Sequence, residues 1–173
     1  MILKKIFAYY MIKKNPVEYA RSLGVQIGEE ARLISIKPME GTFGSEPYLV
    51  KIGNHVTVAG DVKFFTHDGG VWIFREKDPD IDIFGSIEIG DNVFIGYGST
   101  ILPNVKVGND VVIGAKSVVT KDIPDETIVA GVPAKIIKTK SEYYESIKGR
   151  KMNIRGISLI EKKRVLIEKY INK

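Results

Sequence analysis

IGDNVFIGYGSTILPNVKVGNDVVIGAKSVVTKDIP, Ile89 to Pro124, falls into sixes: IGDNVF, IGYGST, ILPNVK, VGNDVV, IGAKSV and VTKDIP. Three more run from Ile52: IGNHVT, VAGDVK and FFTHDG. Every six opens on an apolar residue, mostly Ile or Val. The second place is Gly or Ala in six of the nine, and the fifth is Val, Ser or Ile in all but one, where Asp68 stands. A period of six fits neither an amphipathic helix nor an alternating strand. It predicts short strands separated by corners and stacked as a solenoid, in which each coil buries its apolar face only against its neighbours. The opening residue fills the interior, and the fifth must be small or β-branched to fit beside it. Gly at the second place suits a corner where a side chain would crowd or φ is positive.

The phase breaks twice. Between Phe64 and Ile89 the spacing is four sixes plus one, so Gly69 to about Gly85 is expected to leave the solenoid as a loop. Ile27, opening IGEEAR, precedes Ile52 by a spacing equally out of step, and EGTFGSEPYLV between them reads as irregular. Insertions in repeat proteins often build the binding face. The loop's opening, FFTHDGGVWIFR, carries His67, one of only two histidines, and the only tryptophan, Trp72. The other histidine, His55, reads as a surface corner residue.

The ends differ. NPVEYARSLG reads as a short helix with Asn15 as N-cap, Pro16 in the first turn and Gly24 at the C-terminal end. MILKKIFAYYMIKK reads as an amphipathic packing segment, without the small-residue cleavage site of a signal peptide. ISLIEKKRVLIEKYINK reads as a terminal helix whose stripe would be Ile157, Ile160, Leu166, Ile167, Tyr170 and Ile171. The expected organisation is a helical segment over 1–26, a solenoid over 27–138 with its loop, and a helical tail over 139–173.

Length and composition fit one globular domain: 173 residues, 44% hydrophobic and 27% charged. The absence of cysteine excludes a disulfide scaffold, a Cys zinc site and a Cys nucleophile. The charge of +5 is uneven: Lys135 onward holds 12 Lys/Arg against 4 Asp/Glu, a net of +8. Such a tail fits nucleic acid, an acidic membrane, an anionic cofactor, or a plain solvated face. No recognised nucleic-acid module accompanies it, and no apolar run is long enough for an integral membrane segment.

The closing pattern SVVTKDIP…VAGVPAKII, with the sixes before it, resembles the hexapeptide-repeat acyltransferases, and within them the galactoside, maltose and polysaccharide O-acetyltransferase branch. The resemblance covers Ile52 to Lys138, and SEPYLVKIG less fully. It does not extend to the ends, and GVPAK stands where GNPAK is more usual. EPYLVKIG is similar to enzymes that modify cell-surface or capsular polysaccharide. The resemblance implies an all-β core: a left-handed parallel β-helix, three sixes per coil, assembled as a homotrimer. It implies acetyl-CoA as donor, bound between subunits, and a histidine base at THD, which is His67; with no cysteine and two histidines, no metal is expected.

The chemistry agrees with that assignment. An acceptor hydroxyl must lose its proton as it attacks a thioester, and neutral imidazole is the base matched to neutral pH. A backbone N–H commonly stabilises the oxyanion, and no covalent enzyme intermediate is needed. Asp68 is left with three roles: orienting the imidazole, binding acceptor, or capping the turn. By resemblance, Asp61 is a candidate acceptor contact, an exposed corner aspartate being the plain alternative. Trp72, with Phe74, would stack on a sugar or on the donor, or anchor the loop in the trimer; Arg75 would recognise an anionic sugar or, the plainer reading, make a surface ion pair. The donor positions carried over are Gly96, Ser99, Gly114, Ala115, Ser117, Thr120, Lys121 and Lys138, the last a point charge for CoA phosphate. The resulting expectation is a cytoplasmic O-acetyltransferase acting on a sugar. The alternatives are N-acetylation of an amino sugar or its nucleotide, and a non-catalytic scaffold; a three-histidine zinc enzyme on the same solenoid would need one histidine more than the chain has.

Overall fold

A computed structural model describes residues 2–38 and 40–172. After helices α1 (Ile2–Lys14) and α2 (Pro16–Ser22) the chain winds through twelve short strands. One sheet stacks β1 (Gln26–Ile27), β3 (Val50–Ile52), β6 (Ile87–Ile89) and β9 (Lys106–Val107). A second stacks β2 (Arg32–Leu33), β4 (Thr57–Val58), β7 (Phe94–Ile95), β10 (Val112–Ile113) and β12 (Thr127–Ala130). A third stacks β5 (Lys63–Phe64), β8 (Thr100–Ile101) and β11 (Val118–Val119). All these pairings are parallel; only β13 (Lys135–Thr139) folds back antiparallel on β12 and ends the stack.

Opposed residues are 18 apart in the regular coils, as in Ile95↔Ile113 and Ile101↔Val119. The two phase breaks are two insertions. One makes the spacing 25, Ile27↔Ile52, and the other makes it 37, Ile52↔Ile89. The nine opening residues are all buried, none more than 4% exposed, and so are the eight apolar or serine fifth residues. Asp68, the exception at the fifth place, is exposed. The interior is thus a column of Ile and Val two residues wide, closed by the backbone hydrogen bonds between coils.

The glycine rule holds for one of its two proposed reasons. Gly53, Gly90, Gly96 and Gly108 lack positive φ; a Cβ on each would stand 2.2 to 2.7 Å from atoms of the next coil. Positive φ falls instead on the fourth place: His55, Asp61, Asn92, Gly98, Asn104, Asp110 and Lys116. Asn and Asp tolerate that left-handed conformation better than most side chains. At the first corner the third places Asn54, Asp91 and Asn109, with Asp125 from the last coil, form a ladder. Each accepts through Oδ1 from a backbone N–H one coil earlier, those of Glu29, Asn54, Asp91 and Asn109, at 2.6 to 2.8 Å.

A surface network ties the last coils. Lys140 Nζ lies 2.8 Å from Asp110, which also accepts from Asn92. The Lys140 contact, then that from Asn92, holds the Asp110 carboxyl below the usual carboxylate range. A depressed carboxyl stabilises the fold above its unfolded pKa of about 3.9, and that stability is lost as pH falls through the folded value. Asp110→Asn is therefore expected to flatten the fall of the urea midpoint below about pH 4 while leaving the neutral-to-mildly-alkaline region nearly level. Measured midpoints with the same acid slope in both proteins would contradict this.

α2 begins and ends as its sequence predicts: Asn15 accepts from Glu18 N at 3.2 Å, Pro16 opens it, and Gly24 follows it at φ +98°. α1 departs from expectation. Among its described side chains only Ala8 is buried, while Ile6, Phe7, Tyr9 and Tyr10 are exposed, because apolar residues surround the helix rather than line one face. EGTFGSEPYLV is not irregular throughout. It holds α3 (Glu40–Phe43) and a 3-10 turn over Pro47–Leu49, anchored by Phe43, fully buried and stacked on Phe64 at 5.4 Å. The chain divides into two compact units, one ending at Glu142 and one from Tyr143 onward. The tail forms α4 (Lys140–Lys148) and α5 (Leu159–Tyr170), the latter shorter than its sequence predicts; Met1 and Lys173, ends of the expected segments, lie outside the described residues.

Candidate active site

At His67 the solenoid opens. Thr66 to Asp68 does not make the left-handed corner found at seven of the other fourth places but runs out antiparallel to the returning chain. Asp68 N donates to Ile83 O at 2.9 Å and Gly85 N to Thr66 O at 2.8 Å, with His67 opposite Phe84. The excursion between holds a 3-10 helix over Gly69–Phe74. Asp68 accepts from Gly70 N at 2.8 Å and caps that helix, so of its three open roles the capping contact is the one formed.

The carboxylate beside the imidazole comes from elsewhere. Glu46, in the first insertion, places Oε2 3.1 Å from His67 Nδ1 and accepts from the Thr66 hydroxyl at 2.7 Å. Its side chain is 15% exposed against 42% for His67. Two features bring it there. Thr66 is fully buried. Gly44 crosses the corner at φ +67°, so close that a Cβ would sit 3.0 Å from Phe64 O and 3.2 Å from Thr66 Oγ1. A carboxylate at Nδ1 favours the tautomer with its proton on that nitrogen and leaves the Nε2 lone pair outward. Among the described residues none bonds Nε2.

His67 and Asp68 line a cavity of about 580 Å³ with Phe65, Leu102, Asn104 and Thr120. Phe65, Leu102 and Thr120 are second-place residues of the third sheet, stacked coil on coil. The other two corners carry mostly Gly and Ala at that place, so this edge presents the larger side chains coil after coil. That contrast was available in the sequence as a signal for the site.

The remaining candidates divide. Thr120 joins His67 in the cavity, and Lys121 beside it is exposed. Ser99 and Ser117 are 0% exposed; both hydroxyls donate to Gly114 O, at 2.9 and 2.7 Å. Their assignment to the donor edge is corrected: they are fifth-place residues, turned inward to satisfy the backbone. Gly96 is buried beneath the Gly114–Ala115 backbone, Gly114 lies under Ala130, and Ala115 is exposed. Lys138 is half-buried on β13, opposite Ile128.

Asp61 and Trp72 do not line the cavity. Asp61 makes an ion pair with Lys37 at 2.7 Å and accepts from the Tyr97 hydroxyl. Lys37 first and Tyr97 second pull its carboxyl below the usual range, and Asp61 raises both Lys37 and Tyr97. Trp72 is 70% exposed, its ring 5.8 Å from the Arg75 guanidinium, which pairs with Asp82 at 2.5 Å. His55 is exposed at its corner.

Comparison with known proteins gives the geometry its context. Residues 86–121 match the bacterial transferase hexapeptide (six repeats) family. The chain is 51% identical to Protein CapG of Staphylococcus aureus over 97% of its own length and 96% of that protein's. It is 40% identical to the putative lipopolysaccharide biosynthesis O-acetyl transferase WbbJ of Escherichia coli over 51% of this chain, spanning about half of that protein. A solved hexapeptide-repeat-containing acetyltransferase from Vibrio cholerae superposes with a TM-score of 0.60 at 21% identity, over 79% of this chain and 90% of that one. The likeness fixes the stack of parallel coils as the left-handed β-helix of these proteins. With a full-length relative at this identity and the six-repeat segment within it, the chain belongs to the hexapeptide-repeat acyltransferase family.

Proposed function

We propose that the protein transfers the acetyl group of acetyl-CoA directly to a sugar hydroxyl during the building of cell-surface polysaccharide. The observation that carries this reading is the His67 imidazole, held through Nδ1 by Glu46 and facing a cavity of about 580 Å³ with Nε2 unpaired among the described residues. Nε2 takes the acceptor's proton as its oxygen bonds the thioester carbonyl carbon. The tetrahedral intermediate then collapses, the C–S bond breaks, and the imidazolium returns its proton to the departing thiolate. Glu46 steadies the transient positive charge. Because Nδ1 is engaged, the ring cannot turn its basic nitrogen away.

Two sets of relatives support the donor and acceptor classes. The Vibrio enzyme has also been solved complexed with acetyl coenzyme A. The names of the Escherichia coli relatives, WbbJ and a galactoside O-acetyltransferase, specify oxygen acceptors. In this reading Lys121 and Lys138 meet the donor's phosphates, Asp68 lies at the acceptor's entrance, and the site is completed between subunits of a cytoplasmic homotrimer. The cavity's charged side chain besides the histidine is an aspartate, which favours a neutral sugar over a carboxylated one.

The test is free-thiol release from acetyl-CoA across neutral sugars, amino sugars, uronic acids and nucleotide sugars. Acceptor-dependent release with the mass of an O-acetyl ester is expected. An amide product would replace the hydroxyl reading with N-acetylation. Absence of both turnover and donor binding by calorimetry would leave a scaffold.

A further inference from the structure

The second compact unit, from Tyr143 onward, is short, basic and nearly coreless. It holds 9 Lys/Arg against 3 Asp/Glu, a net of +6 in 31 residues. Its helix α5 is capped independently of any partner: Ser158 accepts from Glu161 N at 3.2 Å, and Arg164 pairs with Glu161 at 2.7 Å. Yet α5 buries none of its residues. At 100° per residue, Leu159, Ile160, Leu166, Ile167, Tyr170 and Ile171 fall on one side. Leu159 and Ile160 are each 85% exposed and Ile171 75%. Lys162 and Lys169 flank that stripe on one border and Arg164 on the other. Lys163 stands within the stripe, between Tyr170 and Ile167, where its long stem can lie along the apolar surface and carry the ammonium out to the headgroups.

We propose that α5 is a docking helix for an anionic lipid bilayer, lying in the interface with its apolar stripe in the acyl boundary and its flanking cations among the headgroups. An apolar stripe bordered by cations is the pattern such helices carry. Twelve residues span about 18 Å and so lie along a surface rather than cross it; no described helix is long and apolar enough to span. The charge selects among occupants. A second copy of the same face would bring two units of +6 together, and a phosphodiester chain has no use for a stripe of Leu and Ile. An acidic lipid surface satisfies both sides of the helix. The inference does not depend on the acetyl-transfer reading.

The test is co-sedimentation of the full chain with vesicles of phosphatidylglycerol and phosphatidylcholine in equal parts, and of phosphatidylcholine alone. Each cation near an acidic surface contributes about fivefold to partition. Binding to the anionic vesicles is expected to be at least about tenfold tighter than to the neutral ones, and to weaken with salt. Lys162→Gln with Lys169→Gln should lose on the order of tenfold or more. Leu159→Glu with Ile160→Glu should lose binding while the urea midpoint of the β-helix stays put, since neither side chain is buried. The charge variant decides alone if the apolar one misfolds. No binding to anionic vesicles, equal binding by either variant, or equal binding to both vesicle types would overturn the proposal. So would an apolar variant that changes only the oligomeric mass, which would give the stripe to a second copy.

Discussion

His67→Ala is expected to lower acceptor-dependent thiol release on the order of 100-fold or more while leaving the unfolding free energy from urea titration within about 0.5 kcal/mol of the parent. The two halves of that expectation come from different observations. The catalytic half follows from geometry: an imidazole bonded to a carboxylate through one nitrogen offers the other to a proton, and a positioned base contributes about 10² to 10⁴. The stability half follows from exposure: the side chain is 42% exposed and stands outside the Ile and Val column, so truncation opens no core cavity. Glu46→Gln separates positioning from basicity. The amide oxygen can still accept from Thr66 and from Nδ1–H, but the charge that steadies the imidazolium is gone. Turnover should fall less than in His67→Ala, the loss residing in kcat rather than KM, because Glu46 does not line the cavity. Release that persists undiminished in His67→Ala would remove the base assignment. Equal losses of turnover and of stability in both variants would reduce the pair to a structural contact.

What was legible in the sequence was what repeats. The opening and fifth places predict the buried column because each coil imposes the same packing on them, and Asp68 stands out there because the chain is about to leave. The same rule already turned Ser99 and Ser117 inward; matching them to a donor edge set aside a local constraint in favour of a resemblance. Asn and Asp at the fourth place carry a readable sign of left-handed backbone, although Asp122 does not adopt it, while His55 and Lys116 adopt it without that sign. Glu46 was not legible. It lies 21 residues from His67 in a segment without period, and its approach depends on Gly44 passing over Thr66, a tertiary fact. The α1 segment failed for the opposite reason: lysines broke up its apolar run, but their spacing gave no single face to bury.

Gly90→Val is expected to destabilise the solenoid by about 3 kcal/mol, with unfolding at a distinctly lower urea concentration. The glycine is not there for its backbone freedom, since its φ is not positive. It stands in a stack, Gly28, Gly53, Gly90 and Gly108, in which each residue's missing Cβ makes room for the next coil. A Cβ at Gly90 would lie 2.7 Å from Asn109 Oδ1 and 2.7 Å from Gly108 O. The first neighbour can swing aside only by releasing Asp91 N, to which it is bonded at 2.8 Å. The second cannot move alone: Gly90 N donates to Val107 O and Gly108 N to Ile123 O, both at 2.8 Å, so the coils on either side hold the carbonyl in place. Relief therefore requires the coils to part, which opens the buried column along with the ladder. Two companions make the reading specific. Asn109→Ala alone should cost about 1 kcal/mol for the lost ladder bond. Combined with Gly90→Val it should recover only a small part of the loss, because the backbone contact remains. Gly69→Ala, with nothing within 4 Å of its Cβ, should stay within about 0.5 kcal/mol of the parent. A Gly90→Val protein unfolding at the parental midpoint would show that the coils can separate at little cost, and the glycine stack would then have no part in setting their spacing.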